Sequence, residues 1–173
     1  MVFKGIKKMT KFLRNEKGTA ILEFAFVAIL VFGLLFAIVD LGMMFFVNLT
    51  MQNAVREGTR YAIAGPTAPL GDTRTRRQLV IDKIHDSSVG LCDRGRCPDG
   101  NIHFYALESG VPVPIAPGDP VVGAPSQIIE VTVDYSWPLL TPLMKPFFPG
   151  GRYNFRVGAT MRNEPFPVPV SGG

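Results

Sequence analysis

Little in this chain suits it for catalysis. Its 173 residues include two cysteines, two histidines and one tryptophan. His85 and His103 stand apart from each other, and no nucleophile motif or glycine-rich phosphate loop accompanies either. Cys92 and Cys97 have four residues between them, which excludes a redox Cys-x-x-Cys, and no second Cys/His pair at zinc spacing follows. No catalytic residue, cofactor or metal site is therefore expected. Proline is absent before Pro66, although fifteen follow from there on, so the first 65 residues are free to form one unbroken helix. Acids are scarce at the start. Six basic residues (Lys4, Lys7, Lys8, Lys11, Arg14 and Lys17) face only Glu16 in the first eighteen positions, a net +5. The remaining 155 residues carry twelve basic and thirteen acidic groups, a net −1. The overall pI of 9.3 thus belongs to the leader. A nucleic-acid partner is not expected, because its binding needs positive charge on a folded surface.

Charge is also missing from Phe24 to Val39, sixteen consecutive residues without a strongly polar group. As a helix these rise about 24 Å, short of the ~30 Å hydrocarbon core. Continuing past Asp40 to Val47 gives about 36 Å, enough to span with tilt. Glu23 and Asp40 lie about 25 Å apart along such a helix, so each acid can sit near one interface. A basic stretch before the span places the N-terminus in the cytoplasm. The expectation is a single-pass membrane protein, with residues 24–47 in the bilayer and the C-terminal domain on the side opposite the cytoplasm. Gly33, Ala37, Asp40 and Met44 share one helix face. Its small residues let a partner helix approach, and Asp40 can hydrogen-bond across it.

An ordinary secretory signal fits poorly, since the apolar region is long and no small-x-small cleavage site follows it cleanly. The sequence Lys17-Gly18-Thr19-Ala20-Ile21-Leu22-Glu23-Phe24 instead puts a glycine after the basic leader and a glutamate fifth after that glycine. It resembles the type III signal of type IV pilins, with the Glu-Phe pair of the Flp branch. The resemblance continues through Asp40-Leu41-Gly42, through Gln52-Asn53-Ala54-Val55-Arg56-Glu57-Gly58-Thr59-Arg60-Tyr61-Ala62, and in the terminal Met161-Arg162-Asn163-Glu164-Pro165. These segments are similar to the TadE-like family, pseudopilins of the tight-adherence (Flp pilus) system. The resemblance implies cleavage between Gly18 and Thr19 by a prepilin peptidase, with Glu23 and Phe24 serving assembly. It implies other pilins or pseudopilins, the assembly machinery and the lipid bilayer as partners. The resulting expectation is a minor pseudopilin of the Flp pilus. A single-pass scaffold that keeps its leader is the alternative, and an anchored enzyme or ligand-binding protein is a third class.

The expected fold class is α+β and pilin-like. A basic leader (1–18) precedes a long helix (19–64, about 69 Å if unbroken) that Gly65-Pro66 ends. A periplasmic domain (65–165) and a proline-rich extended tail (166–173) follow. In the domain, Asp72 or Thr73 is expected to cap a helix through about Val89. Leu79, Val80 and Ile84 form its apolar stripe, with Gly90 as its stop. Arg74, Arg76 and Arg77 read as a solvated face. Three strands are expected: Asn101–Leu107, Ile128–Tyr135 and Tyr153–Met161, the second alternating Ile129, Val131, Val133 and Tyr135 with polar residues. Val111–Pro125 reads as loop because of its prolines and glycines. Trp137–Pro149 is unusually apolar for a loop. It can cap the sheet, touch the membrane or meet another pseudopilin, and packing on its own core is favoured. In an oxidising compartment Cys92 and Cys97 are expected to form a disulfide. Closing so short a loop stabilises by about 2 kcal/mol on the chain-entropy model.

Overall fold

The computed structural model describes residues 16–165, except 69, 71, 94, 95, 118, 120 and 121. Most of the expected leader and all of the expected tail lie outside the described residues. Helix α1 runs unbroken over Glu16–Ile63, as the absence of proline allows, and Gly65 leaves it at φ 64°. It is long and apolar enough to cross a membrane. Its two halves differ in burial. From Ile21 to Val39 the large apolar side chains are exposed, whereas Val47, Met51, Ala54, Val55, Thr59 and Ala62 are buried. Those spacings of three and four form the stripe that faces the domain.

Helix α2 spans Arg76–Ser87. Its cap is Thr75, rather than the expected Asp72 or Thr73, because Thr75-Arg-Arg-Gln78 is a capping box. The Gln78 N–H donates to Thr75 Oγ1, and the Thr75 N–H donates to Gln78 Oε1. Asp72 instead pairs with Arg74. Arg74 is exposed, as expected of the solvated face assigned to the three arginines, but Arg76 and Arg77 depart from it. Arg76 donates to the Ala62 carbonyl at 2.5 Å, capping the end of α1. Arg77 is buried, stacks 4.4 Å over the Phe104 ring and donates to the Ala116 carbonyl. Its long stem covers apolar surface while its planar head finds a ring and an acceptor.

The sheet is antiparallel and has four strands, one more than expected: β1 (Ile102–Glu108), β2 (Val111–Pro114), β3 (Ile128–Pro138) and β4 (Arg152–Arg162), in the order β2-β1-β3-β4. The extra strand β2 contains Pro112 and Pro114 and falls where a loop was expected. Proline is tolerated there because β2 is an edge strand, with β1 as its one neighbour. Ser109 (φ 53°) and Gly110 (φ 82°) make the tight turn that folds it back on β1. The alternation in β3 is realised except at Thr132, which is also buried: Ile129, Val131, Val133 and Tyr135 are buried, joined by Trp137. One core results, made of the α1 stripe, Val80, Ile81 and Ile84 of α2, Ile102 and Phe104 of β1, the inner face of β3, and Val157 of β4.

Candidate functional site

The N-terminal half of α1 presents the residues that the sequence marks for processing and assembly. Gly18, Thr19, Glu23 and Phe24 are all helical. Thr19, Glu23 and Phe24 are exposed, and a side chain added at Gly18 would meet nothing within 4 Å. Glu23 makes no hydrogen bond or ion pair among the described residues. Gly18 is a weak point in the ladder, because glycine in a helix interior costs about 1 kcal/mol relative to alanine.

The face carrying Gly33, Ala37 and Asp40 behaves differently. Asp40 is 1% exposed, and its partners lie a hundred residues on in sequence. Oδ1 accepts the Leu140 N–H at 2.9 Å, and the Thr141 N–H and hydroxyl also donate to the carboxyl group. A Cβ at Gly33 would lie 3.6 Å from Leu143 Cδ2. The loop between β3 and β4 therefore packs along this face at Asp40 and Gly33, so two of its three residues meet the chain's own loop. Nothing local in the sequence links Asp40 to Thr141. The one hint was an apolar loop whose destination was open.

Further along α1, Gly58 marks the helix crossing. A Cβ there would stand 2.2 Å from Cγ1 of the buried Ile84, so α1 and α2 approach this closely only across a glycine. The neighbouring Thr59 is buried and donates to the Val55 carbonyl at 2.7 Å. Asn163, in the C-terminal motif, is a clasp. Its side-chain amide donates to the Val122 and Ala124 carbonyls at 3.1 and 2.9 Å. Its backbone N–H bonds the Gln127 carbonyl, and the Glu164 N–H bonds the Ile63 carbonyl at 3.0 Å. The end of β4 is thereby tied to the end of α1. The sequence reading picked out this motif by resemblance and had no structural role for Asn163.

Cys92 and Cys97 are both buried. The Cys92 sulfur beside it, together with burial, pushes the Cys97 thiol well up from its ordinary range. The turn that carries them is held from two sides. Ser88 Oγ accepts the Cys92 N–H at 3.1 Å, and Tyr135 donates its hydroxyl to the Leu91 carbonyl at 2.7 Å. Burial pushes that phenol up to about 12. The fold also brings His85 to the pair. One of its ring nitrogens and the two sulfurs lie within 4.8 Å of one another, and its Nε2 is buried without a hydrogen-bond partner among the described residues. Asp99 Oδ1 is 3.9 Å from it. One imidazole and two thiols are a donor set that zinc accepts, although His85 is seven residues from the nearer cysteine and sequence spacing gave no sign of it.

No curated protein and no solved structure matches the chain. The segment that does match a known family is the long helix, over both its exposed and its packed halves: residues 18–60 are similar to the family model described as TadE-like protein.

Proposed function

We propose that this protein is a minor pseudopilin of the tight-adherence pilus, anchored in the bacterial inner membrane by α1 and released from its basic leader by cleavage between Gly18 and Thr19. The observation that carries the reading is the position of the family match. It begins at Gly18, where the leader meets the exposed apolar helix, with Glu23 fifth after the glycine. The lipid-embedded stretch in this reading is residues 18–39 rather than the expected 24–47, since Val47 is a core residue of the domain. Twenty-two helical residues rise about 33 Å, the thickness of a hydrocarbon core plus a modest tilt. The leader's positive charge keeps the N-terminus in the cytoplasm, with the domain periplasmic.

After cleavage, the Thr19 amine is a new cation at the helix start, and Glu23 of a neighbouring subunit is its natural partner in a low-dielectric setting. Other pilins, the prepilin peptidase and the assembly machinery are the partners this requires. Mass spectrometry of protein extracted from membranes of cells with an active peptidase tests the reading. A mature chain starting at Thr19 is expected, and an intact leader refutes it. The helix running through Gly18 from Glu16 without a break favours a second reading, a permanent single-pass scaffold, which the intact leader would support.

A further inference from the structure

We propose that the loop between β3 and β4, residues 139–148, is a second membrane-contacting element: an apolar wedge that enters the outer leaflet beside the spanning helix. The proposal rests on the membrane reading above and extends it to a part of the domain. Its first support is depth. The hydrogen bonds to Asp40 tie the loop to α1, and Leu143 reaches Gly33, seven residues or about 10 Å down the helix. A 30 Å layer starting at the level of Gly18 ends near Ile38. Leu143 therefore lies about 7 Å inside that boundary, within the 5–10 Å reached by interfacial segments.

The second support is composition. Leu140, Leu143 and Phe147 are exposed, Phe147 by 76%, and Leu143 stands against α1 at Gly33, among its exposed apolar side chains. The one charged side chain in 139–148 is Lys145, which can lift its ammonium group to the headgroups along a flexible stem.

The third support is the backbone. Irregular chain is costly in lipid because its N–H groups lose water. In 139–151, the N–H groups of Leu139, Leu140, Thr141, Phe147, Phe148 and Gly151 donate within the protein, whereas those of Leu143, Met144, Lys145 and Gly150 do not among the described residues. Pro142, Pro146 and Pro149 have no N–H to lose.

The test is quenching by lipids brominated on their acyl chains, with the full chain in liposomes. The variants are Phe147→Trp and Phe36→Trp, and the parent supplies the baseline from buried Trp137. Both added tryptophans should lose most of their emission to the brominated chains, and aqueous iodide should leave Phe147→Trp almost untouched. If Phe36→Trp is quenched while Phe147→Trp is quenched only by iodide, the loop faces water and the wedge is overturned while the span stands. If neither quencher reaches Phe147→Trp, a protein neighbour covers the loop, which also overturns it. Failure of bromine to reach Phe36→Trp overturns the membrane reading and the wedge together.

Discussion

Replacing Gly58 with alanine adds one methyl group where α1 crosses α2. The new Cβ would lie 2.2 Å from Ile84 Cγ1 and 3.0 Å from Cδ1, against about 3.5–4.0 Å for an ordinary carbon contact. The helices must part by more than an ångström, or Ile84 must leave its rotamer. A β-branched side chain in a helix has one strongly preferred χ1, so rotation offers little relief. Overpacking of this kind costs about 1–3 kcal/mol. Alanine's better helix propensity returns about 1 kcal/mol, and the expected net loss is up to about 2 kcal/mol. Ile84→Ala alone should cost about 2–5 kcal/mol through the cavity it leaves in the core. Together the two changes should be far from additive. Ile84 keeps only its Cβ, 3.6 Å from the new methyl, which then partly fills the cavity. A favourable coupling of about 2 kcal/mol is expected, within the range seen for touching residues. Urea unfolding of the full chain in detergent micelles, followed by the fluorescence of buried Trp137, measures all four corners through the midpoint at constant slope. Additive losses would show that the glycine serves something other than this close approach.

Glu23→Gln is expected to be inserted and cut after Gly18 yet to support no filaments, because it keeps the shape and loses the charge; immunoblotting for mature length and electron microscopy decide it, and normal filaments would end the ion-pair account. Cys92 and Cys97 are expected to form one intramolecular disulfide on the periplasmic side, so that neither reacts with an alkylating agent before reduction. Two reactive thiols, or zinc retained by His85 and both cysteines, would refute the bridge. Asp40→Ala should free the loop by removing the acceptor of the Leu140 and Thr141 N–H groups, at about 0.5–1.5 kcal/mol each, and proteolysis within 139–151 should speed up; unchanged cleavage would deny Asp40 its anchoring role. The hydrogen bonds from Arg156 hold the Asp134 carboxyl below its ordinary 3.8. The folded state thus binds its proton less readily than the unfolded chain, and this contribution is complete above about pH 4 and fades as pH falls through the lower folded value. Because the pair is half exposed, the effect should be below about 1 kcal/mol. Asp134→Asn should flatten that part of the acid side of the stability curve, and an unaltered curve would refute the assignment.

Features legible in the sequence were those written in neighbouring residues. A leader of one sign, a run without charge and sixty-five residues without proline determined the long helix. Alternation along β3 determined which of its side chains face inward, because a strand's period of two needs no partner to be read. The Gly18/Glu23 spacing and the Asn-Ala-x-Arg-Glu-Gly segment pointed to the family by pattern alone. What the tertiary structure decided depends on residues far apart in the chain. Asp40 looked like an interfacial acid or a bridge to a partner helix until the β3–β4 loop supplied its donors. Gly58 was part of a motif before Ile84 gave it a steric reason. Strand β2 was hidden by its prolines, since an edge position, which makes them harmless, is a property of the sheet and not of the strand. Arg76 and Arg77 read as solvated because their acceptors, the carbonyls of Ala62 and Ala116, carry no side-chain signature. The thiol pair gained a histidine neighbour only when α2 was laid beside it. In each case the energy resides in a contact between segments that local periodicity cannot pair, and so folding had to bring the partners together before the role could be read.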